Sequence, residues 1–273
     1  MPVITLLTDF GLSDEYVGVL RGVILSMNPS AVIVDISHQI DPQDLMQAAY
    51  IIQAAYPYFP KHTIHVIGVD PGVGSRRDII ALECGGAVFI APDNGVLTFV
   101  MDHNPVESAV RLDQPAYWLT SVSRTFHGRD IFAPVAAHLS MGLDIRKLGT
   151  AVNPNELVRL PLTKPYVSES GELIGQIMSI DRFGNLITNI DTVCLEGFNG
   201  QHLFRHLEIC IGACKIKGLS ESYSEAGPKG ALSIIGSRGF LEIAVNGGNA
   251  ARCLGARKND LIRIQIPVRD ASG

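Results

Sequence analysis

The chain has 273 residues, 47% of them apolar, which is enough to bury a core and excludes an extended disordered chain. Only 18% are charged, and 27 acids against 22 bases leave a net charge of −5, the opposite of the basic excess that a general nucleic-acid binder carries. No window approaches the ~18 uncharged apolar residues of a membrane span, and the amino terminus, Met-Pro-Val-Ile-Thr-Leu-Leu-Thr-Asp, lacks the basic region of a signal peptide.

Val3–Thr8 is a buried-strand run. Ser13 offers an N-cap before Asp14 and Glu15, and the helix it opens runs to about Met27, where Asn28-Pro29 stops it. Ala31–Ile36 reads as a second strand. Asp41-Pro42 supplies a cap and a proline at the first helical position for a helix through about Tyr56. Strands follow at Thr63–Val69, Ile79–Cys84 and Val88–Ala91, then an Asp93-Asn94-Gly95 turn and a helix over Ile131–Met141. Strands separated by crossover helices predict an α/β domain over residues 1–163, a mainly parallel sheet with helices on both faces.

The texture then changes. Leu173–Ile180, Leu207–Ile216, Ala231–Ile235, Leu241–Val245 and Leu261–Ile266 are short β-type runs with Gly, Asn and Pro between them, and no helix is needed. Residues 164–273 are therefore expected to form an all-β domain, a small barrel. The five cysteines, Cys84, Cys194, Cys210, Cys214 and Cys253, are scattered and never spaced C-x-x-C, and they read as reduced thiols of a cytoplasmic protein.

Polar residues gather where predicted strands end: Thr8-Asp9-Phe10-Gly11, Asp35-Ile36-Ser37-His38, Asp70-Pro71-Gly72-Val73-Gly74 and Pro92-Asp93-Asn94-Gly95. In an open α/β sheet these carboxyl ends line the ligand crevice. No P-loop is present, and Gly72-Val73-Gly74 does not complete a dinucleotide fingerprint. Asn246-Gly247-Gly248-Asn249 reads as a turn between strands. Ser123–Asp130 is a polar loop ahead of a helix, with Gly128 allowing close backbone approach to a ligand. His202, His206, Cys210 and Cys214 are spaced by four, but Leu207–Ile211 alternates like a strand, so core thiols and surface histidines are preferred to a zinc site.

On these residues the chain resembles the SAM hydrolase family, the SAM hydroxide adenosyltransferases, relatives of the fluorinase and chlorinase enzymes. The resemblance runs from about Val3 to Ile266. It rests on TDFG at Thr8–Gly11, DPGVG with Arg77, TFHGRD at Thr125–Asp130, DRFGN at Asp181–Asn185 and SRGFLEIAVN at Ser237–Asn246. It implies an N-terminal α/β domain, a C-terminal β-barrel and a homotrimer, with the substrate between the N-domain of one subunit and the C-domain of its neighbour. The implied reaction is substitution by water at the 5′ carbon of S-adenosyl-L-methionine, giving adenosine and L-methionine with no cofactor and no metal. Asp70, Arg77 and His127 match the family's Asp-Arg-His set, and Asp9 the acid that holds the ribose hydroxyls. Asn185 corresponds to an adenine contact and Asp181 to a contact for the methionine amine. Ser237 and Arg238 match the carboxylate grip, with Glu242 and Val245 beside it.

Departures from the halogenases favour water over halide as nucleophile. Gly128 stands where halogenases shape the halide pocket, and His127 replaces their Tyr. Gln43 takes the place of a Trp, and the inserted loop of the fluorinase N-domain is not evident. Three rivals remain: a halogenase-like enzyme, a non-catalytic adenosine or SAM sensor, and a metallophosphoesterase built on Asp9, Asp35, His38, Asp70, Asp93, Asn94 and His127.

Overall fold

In the computed structural model, which describes residues 3–199 and 204–267, the chain divides into two units, Met1–Leu160 and Pro161–Gly273. The first unit runs β1 (Val3–Thr8), α1 (Tyr16–Met27), β2 (Val32–Ser37), α2 (Leu45–Ala55), β3 (Ile64–Gly68), β4 (Ile79–Cys84), β5 (Ala87–Pro92), α3 (Thr98–His103), β6 (Val106–Arg111) and α4 (Ala133–Ser140). The strands form one sheet in the order β2-β1-β3-β5-β4-β6. β2, β1, β3 and β5 are parallel. β4 lies antiparallel between β5 and β6 because the Gly85-Gly86 turn, both residues at positive φ, folds it back as a hairpin.

Alternation along the strands sends side chains to two cores. Ile4, Leu6, Ile64 and Val66 pack with Leu20 and Ile24 of α1 and Val135 and Ala136 of α4. Leu7, Ile67, Ile80 and Phe89 face the other way, toward Ala48 and Ile52 of α2 and Val100 of α3. Each Leu or Ile so enclosed contributes about 1.5–3 kcal/mol. Helices thus cover both faces of a mainly parallel sheet. Inside it, His65 is fully buried. Its ring stacks on Phe89 at 5.0 Å, and Nδ1 lies 2.7 Å from Thr5 Oγ1.

Two helix starts differ from the sequence reading. α1 begins at Tyr16 rather than after Ser13, with no side-chain cap. The Tyr16 ring at this start packs edge-on against Phe126 at 5.1 Å, a long-range contact that anchors the first turn. α2 is capped by Asp44, whose side chain accepts from Gln47 N–H, not by Asp41. Gln43 has φ +66, a left-handed backbone that no helix can contain, so the helix starts after it.

The second unit runs β7 (Tyr166–Val167), β8 (Leu173–Ile180), β9 (Leu186–Asp191), α5 (Thr192–Asn199), β10 (Glu208–Ile211), β11 (Cys214–Lys217), β12 (Ala231–Ile235), β13 (Phe240–Val245), α6 (Ala250–Leu254) and β14 (Leu261–Gln265). Its strands pair antiparallel in the order β11-β10-β14-β8-β9-β13-β12, with β7 on β8. The two ends approach each other, Ser220 N–H donating to Ser233 O at 2.8 Å, so the sheet curls into a nearly closed barrel. Ile177, Leu186, Ile209, Ile243 and Ile262 fill it. Leu207–Ile216 is a hairpin of two strands rather than one run. The unit also carries helices that the all-β expectation lacked. Asp191 accepts from Cys194 N–H at the start of α5. Asn249 caps α6, and Gly255, in the left-handed conformation, ends it.

Candidate functional site

The sheet order creates the first site. From β1 the chain moves through α1 to β2 on one side, then through α2 to β3 on the other side and over the opposite face. The carboxyl ends of β1 and β3 therefore splay apart at a topological switch point, where open α/β sheets hold ligands. Asp9 follows β1 and Asp70 follows β3. Both line a cavity of about 230 Å³, together with Phe10, Gln43, His127 and Gly128.

Asp70 and Arg77 are each only 10% exposed and form a two-pronged pair. Arg77 Nε donates to Asp70 Oδ1 at 2.8 Å, and Nη2 donates to Oδ2. The same Nη2 lies 3.0 Å from His127 Nδ1. A guanidinium has donors only, so Nδ1 presents its lone pair and the imidazole is neutral. Burial and the neighbouring Arg77 charge hold the His127 pKa below its usual value, against the opposing pull of Asp70, Asp130 and a Ser123 backbone hydrogen bond. Asp70 and Arg77 from one loop and His127, 50 positions beyond Arg77, thus form one continuous group.

Asp9 is held by the backbone. Its Oδ2 accepts from Gln43 N–H at 2.8 Å, and the left-handed geometry at Gln43 aims that group. Phe10 and Phe126 also line the cavity, and their rings pack with that of Tyr16, all centroids within 5.8 Å of one another. Gly74, at φ +76, lets the loop after β3 touch the loop before α4. A Cβ there would lie 2.2 Å from the Arg124 carbonyl oxygen. A π-helical turn, Gly128–Phe132, precedes α4 and carries His127 at its start.

The second unit holds another cleft, of about 700 Å³, onto which Asp181, Asn185, Ser237, Arg238, Glu242 and Val245 all face. Asp181 accepts from the backbone and side-chain nitrogens of Asn185 at 2.8 and 3.0 Å. Glu242 is nearly enclosed, and burial, then the Asp181 charge, raises its pKa. Phe183, 76% exposed, offers a flat apolar ring at the lip. Tyr223 lines the cleft too, its hydroxyl 3.4 Å from Glu242 Oε2. Sequence reading missed it, because Ser220–Glu225 has no periodicity to mark one residue.

Other candidates are engaged elsewhere. Asp35 pairs with Arg21, and His38 meets Thr8 Oγ1 at 2.8 Å. Asp93 accepts from Val158 N–H, and Asn94 donates to Val69 O. Cys210 and Cys214 sit half-buried on the β10–β11 hairpin, not along a helix face, and His202 lies outside the described residues. Among the described residues, no three His, Cys, Asp or Glu gather closely enough to hold a metal, and no helix is long and apolar enough to cross a membrane.

Residues 4–149 match the sequence model of the SAM hydroxide adenosyltransferase N-terminal domain, and residues 175–263 that of the C-terminal domain. The chain is 36% identical over 264 residues to the (R)-S-adenosyl-L-methionine hydrolase of Salinispora arenicola, covering 96% of this chain and 97% of the relative. It is 30% identical over 277 residues to a fluorinase of Nocardia brasiliensis, covering 92% of each. Among solved structures it is similar to an uncharacterized conserved protein from Thermotoga maritima, with a TM-score of 0.88 at 36% identity, over 96% of this chain and 99% of that one.

Proposed function

The chain belongs to the SAM hydroxide adenosyltransferase family, and from that membership we infer that it is an (R)-S-adenosyl-L-methionine hydrolase. Water attacks the ribose 5′ carbon and the C5′–S bond breaks. The bonding pair goes to sulfur, so the sulfonium leaves as the neutral thioether of methionine. No acid is needed at the leaving group. The demand falls on the water, which must be aligned behind C5′ and must lose a proton.

The observation that carries the assignment of roles is the Asp70–Arg77–His127 group, whose Asp70 and His127 line the same cavity as Asp9. Asp70 is the base. Each carboxylate oxygen has a second lone pair beyond the one that Arg77 occupies, and one of these accepts the water proton. Arg77 fixes the plane of that carboxylate and faces the hydroxide that develops. His127, with Nδ1 turned to Arg77, orients the guanidinium and is not the base. Asp9, with one oxygen tied to Gln43, offers the other to the ribose hydroxyls. Asp181 and Glu242 supply negative charge for the methionine ammonium, Ser237 and Arg238 bind its carboxylate, and Asn185 meets adenine, with Val245 beside them. Gly128 leaves the nucleophile pocket shaped for water. The small volume of the first cavity supports a site completed by the second cleft of a neighbouring copy in a homotrimer. The acidic balance and free thiols support a cytoplasmic enzyme acting on a small cationic substrate, with neither nucleic acid nor membrane as partner.

The test is incubation with SAM in ¹⁸O-labelled water, followed by chromatography and mass spectrometry. Adenosine labelled at its 5′ oxygen, with one methionine per adenosine, is the expected result. No adenosine, or adenosine without label, overturns the reading. Sharing of the site is tested by mixing inactive Asp70→Asn and Arg238→Ala proteins under subunit exchange. A site built from two copies regains activity in the mixture, whereas a site within one chain does not.

A further inference from the structure

Asp130 does not line the cavity, yet its carboxylate is fully enclosed beside it. Oδ1 accepts from Arg129 Nε at 2.6 Å, and Oδ2 accepts from Arg129 Nη2 at 3.1 Å and from Ser123 N–H at 2.7 Å. Ser123 is pinned a second time through its hydroxyl, which accepts from Phe126 N–H at 3.0 Å. Phe126 directly precedes His127 in the chain, and the His127 ring meets Arg77 Nη2 at 3.0 Å. Hydrogen bonds and the one peptide link between Phe126 and His127 therefore join Asp130 to the Asp70–Arg77 pair.

Ion pairing with Arg129 does not explain this arrangement. The Arg129 side chain is 37% exposed, and a pair formed at the surface would spare the carboxylate its desolvation. What enclosure adds is a rigid acceptor whose second oxygen holds one backbone N–H in place. We infer that Asp130 is a positioning residue for the reaction: through Ser123 it fixes the His127 ring, and through that ring the plane of the Arg77 guanidinium against Asp70. The inference rests on the hydrolase reading above. Because Arg77 bonds both oxygens of Asp70, a tilt of the guanidinium turns the lone pairs that face the water.

Steady-state kinetics on SAM with two variants test it. Asp130→Asn keeps the shape but cannot serve Ser123 and both Arg129 nitrogens together. Its kcat is expected to fall about 10-fold or more while KM stays within about twofold, since Asp9 and the second cleft are untouched. Arg129→Gln removes the outer partner and leaves the Ser123 bond, so it lowers the melting temperature but keeps kcat within about twofold. Where Asp130→Asn does not fold, Asp130→Glu, which keeps the charge but displaces the oxygens, reads the same split. Unchanged kcat in the folded Asp130 variant overturns the inference, and so does an equal loss of kcat in Arg129→Gln. Wild-type protein that releases no adenosine refutes the hydrolase reading instead.

Discussion

Replacing Gly74 by alanine separates the two loops that carry the reacting group, and the size of the effect follows from the geometry. The new methyl carbon would stand 2.2 Å from the Arg124 carbonyl oxygen. A carbon and a carbonyl oxygen settle at about 3.3 Å or more, so the loops must part by about 1 Å. Asp70 and Arg77 flank Gly74 on one loop, and His127 lies three residues beyond Arg124 on the other. The 3.0 Å contact between Arg77 and His127 is therefore the one that opens. A displacement of about 1 Å costs about 10²-fold in rate, and the left-handed φ of +76 adds about 1–2 kcal/mol of destabilisation for any residue with a Cβ. Gly142 is the control, since it has φ +93 but nothing within 4 Å of an added Cβ. Gly142→Ala should lose similar stability and keep its activity. The assay is single-turnover adenosine release at a temperature where both variants are folded, with SAM affinity measured by calorimetry. Gly74→Ala protein with wild-type turnover would refute the idea that this contact registers the two loops.

Asp70→Asn should lower turnover about 10²-fold or more with little change in SAM affinity, whereas Asp9→Ala should chiefly weaken binding; single-turnover rates beside calorimetric dissociation constants distinguish them. Turnover should persist after exhaustive EDTA treatment, because the leaving group departs neutral, and activity restored only by added zinc or manganese would contradict this. Acid should destabilise the fold through His65, whose pKa burial lowers from 6.5 to about 3. Above pH 6.5 the ring is neutral whether folded or unfolded. Between about 6.5 and 3 only the unfolded chain takes the proton, so stability falls with pH at up to about 1.4 kcal/mol per unit. Urea midpoints from pH 7.5 to 4.5 should show a shallower slope in the His65→Phe, Thr5→Val double variant, which removes both buried partners together.

Much of this was readable because the same residues served local and global needs. β1, β4, β8 and β12 have the bounds that their apolar runs predict. The polar ends of β1 and β3 point to a crevice by a rule of sheet topology alone. Where local signals failed, a distant contact had overridden them. The Asp41-Pro42 helix start gave way to the left-handed Gln43, whose N–H is needed at Asp9. The start of α1 followed the Tyr16–Phe126 contact, which links residues 110 positions apart. β9 was hidden because Thr188 and Asn189 interrupt its apolar pattern; Thr188 is buried all the same, its hydroxyl bonded to Leu241 O at 2.9 Å. The arrangement of Asp70, Arg77 and His127 as one group could not be read from spacing, and only their resemblance to a known motif suggested it.

The wide turn at Gly128–Phe132 sets a phase between the catalytic loop and the helix that follows. Its bond from Ala133 N–H to Gly128 O spans one residue more than an α-helical turn. Downstream, Ala133 and Val135–Ala137 are locked into the core against α1. Each residue of a helix advances about 100° around the axis and about 1.5 Å along it. Deleting one residue from the turn would let α4 keep every buried contact, but it would swing His127 through roughly that angle and away from Arg77. The length of this stretch is therefore fixed separately from the identities of its residues, and an insertion or deletion here is a change of enzyme rather than of stability.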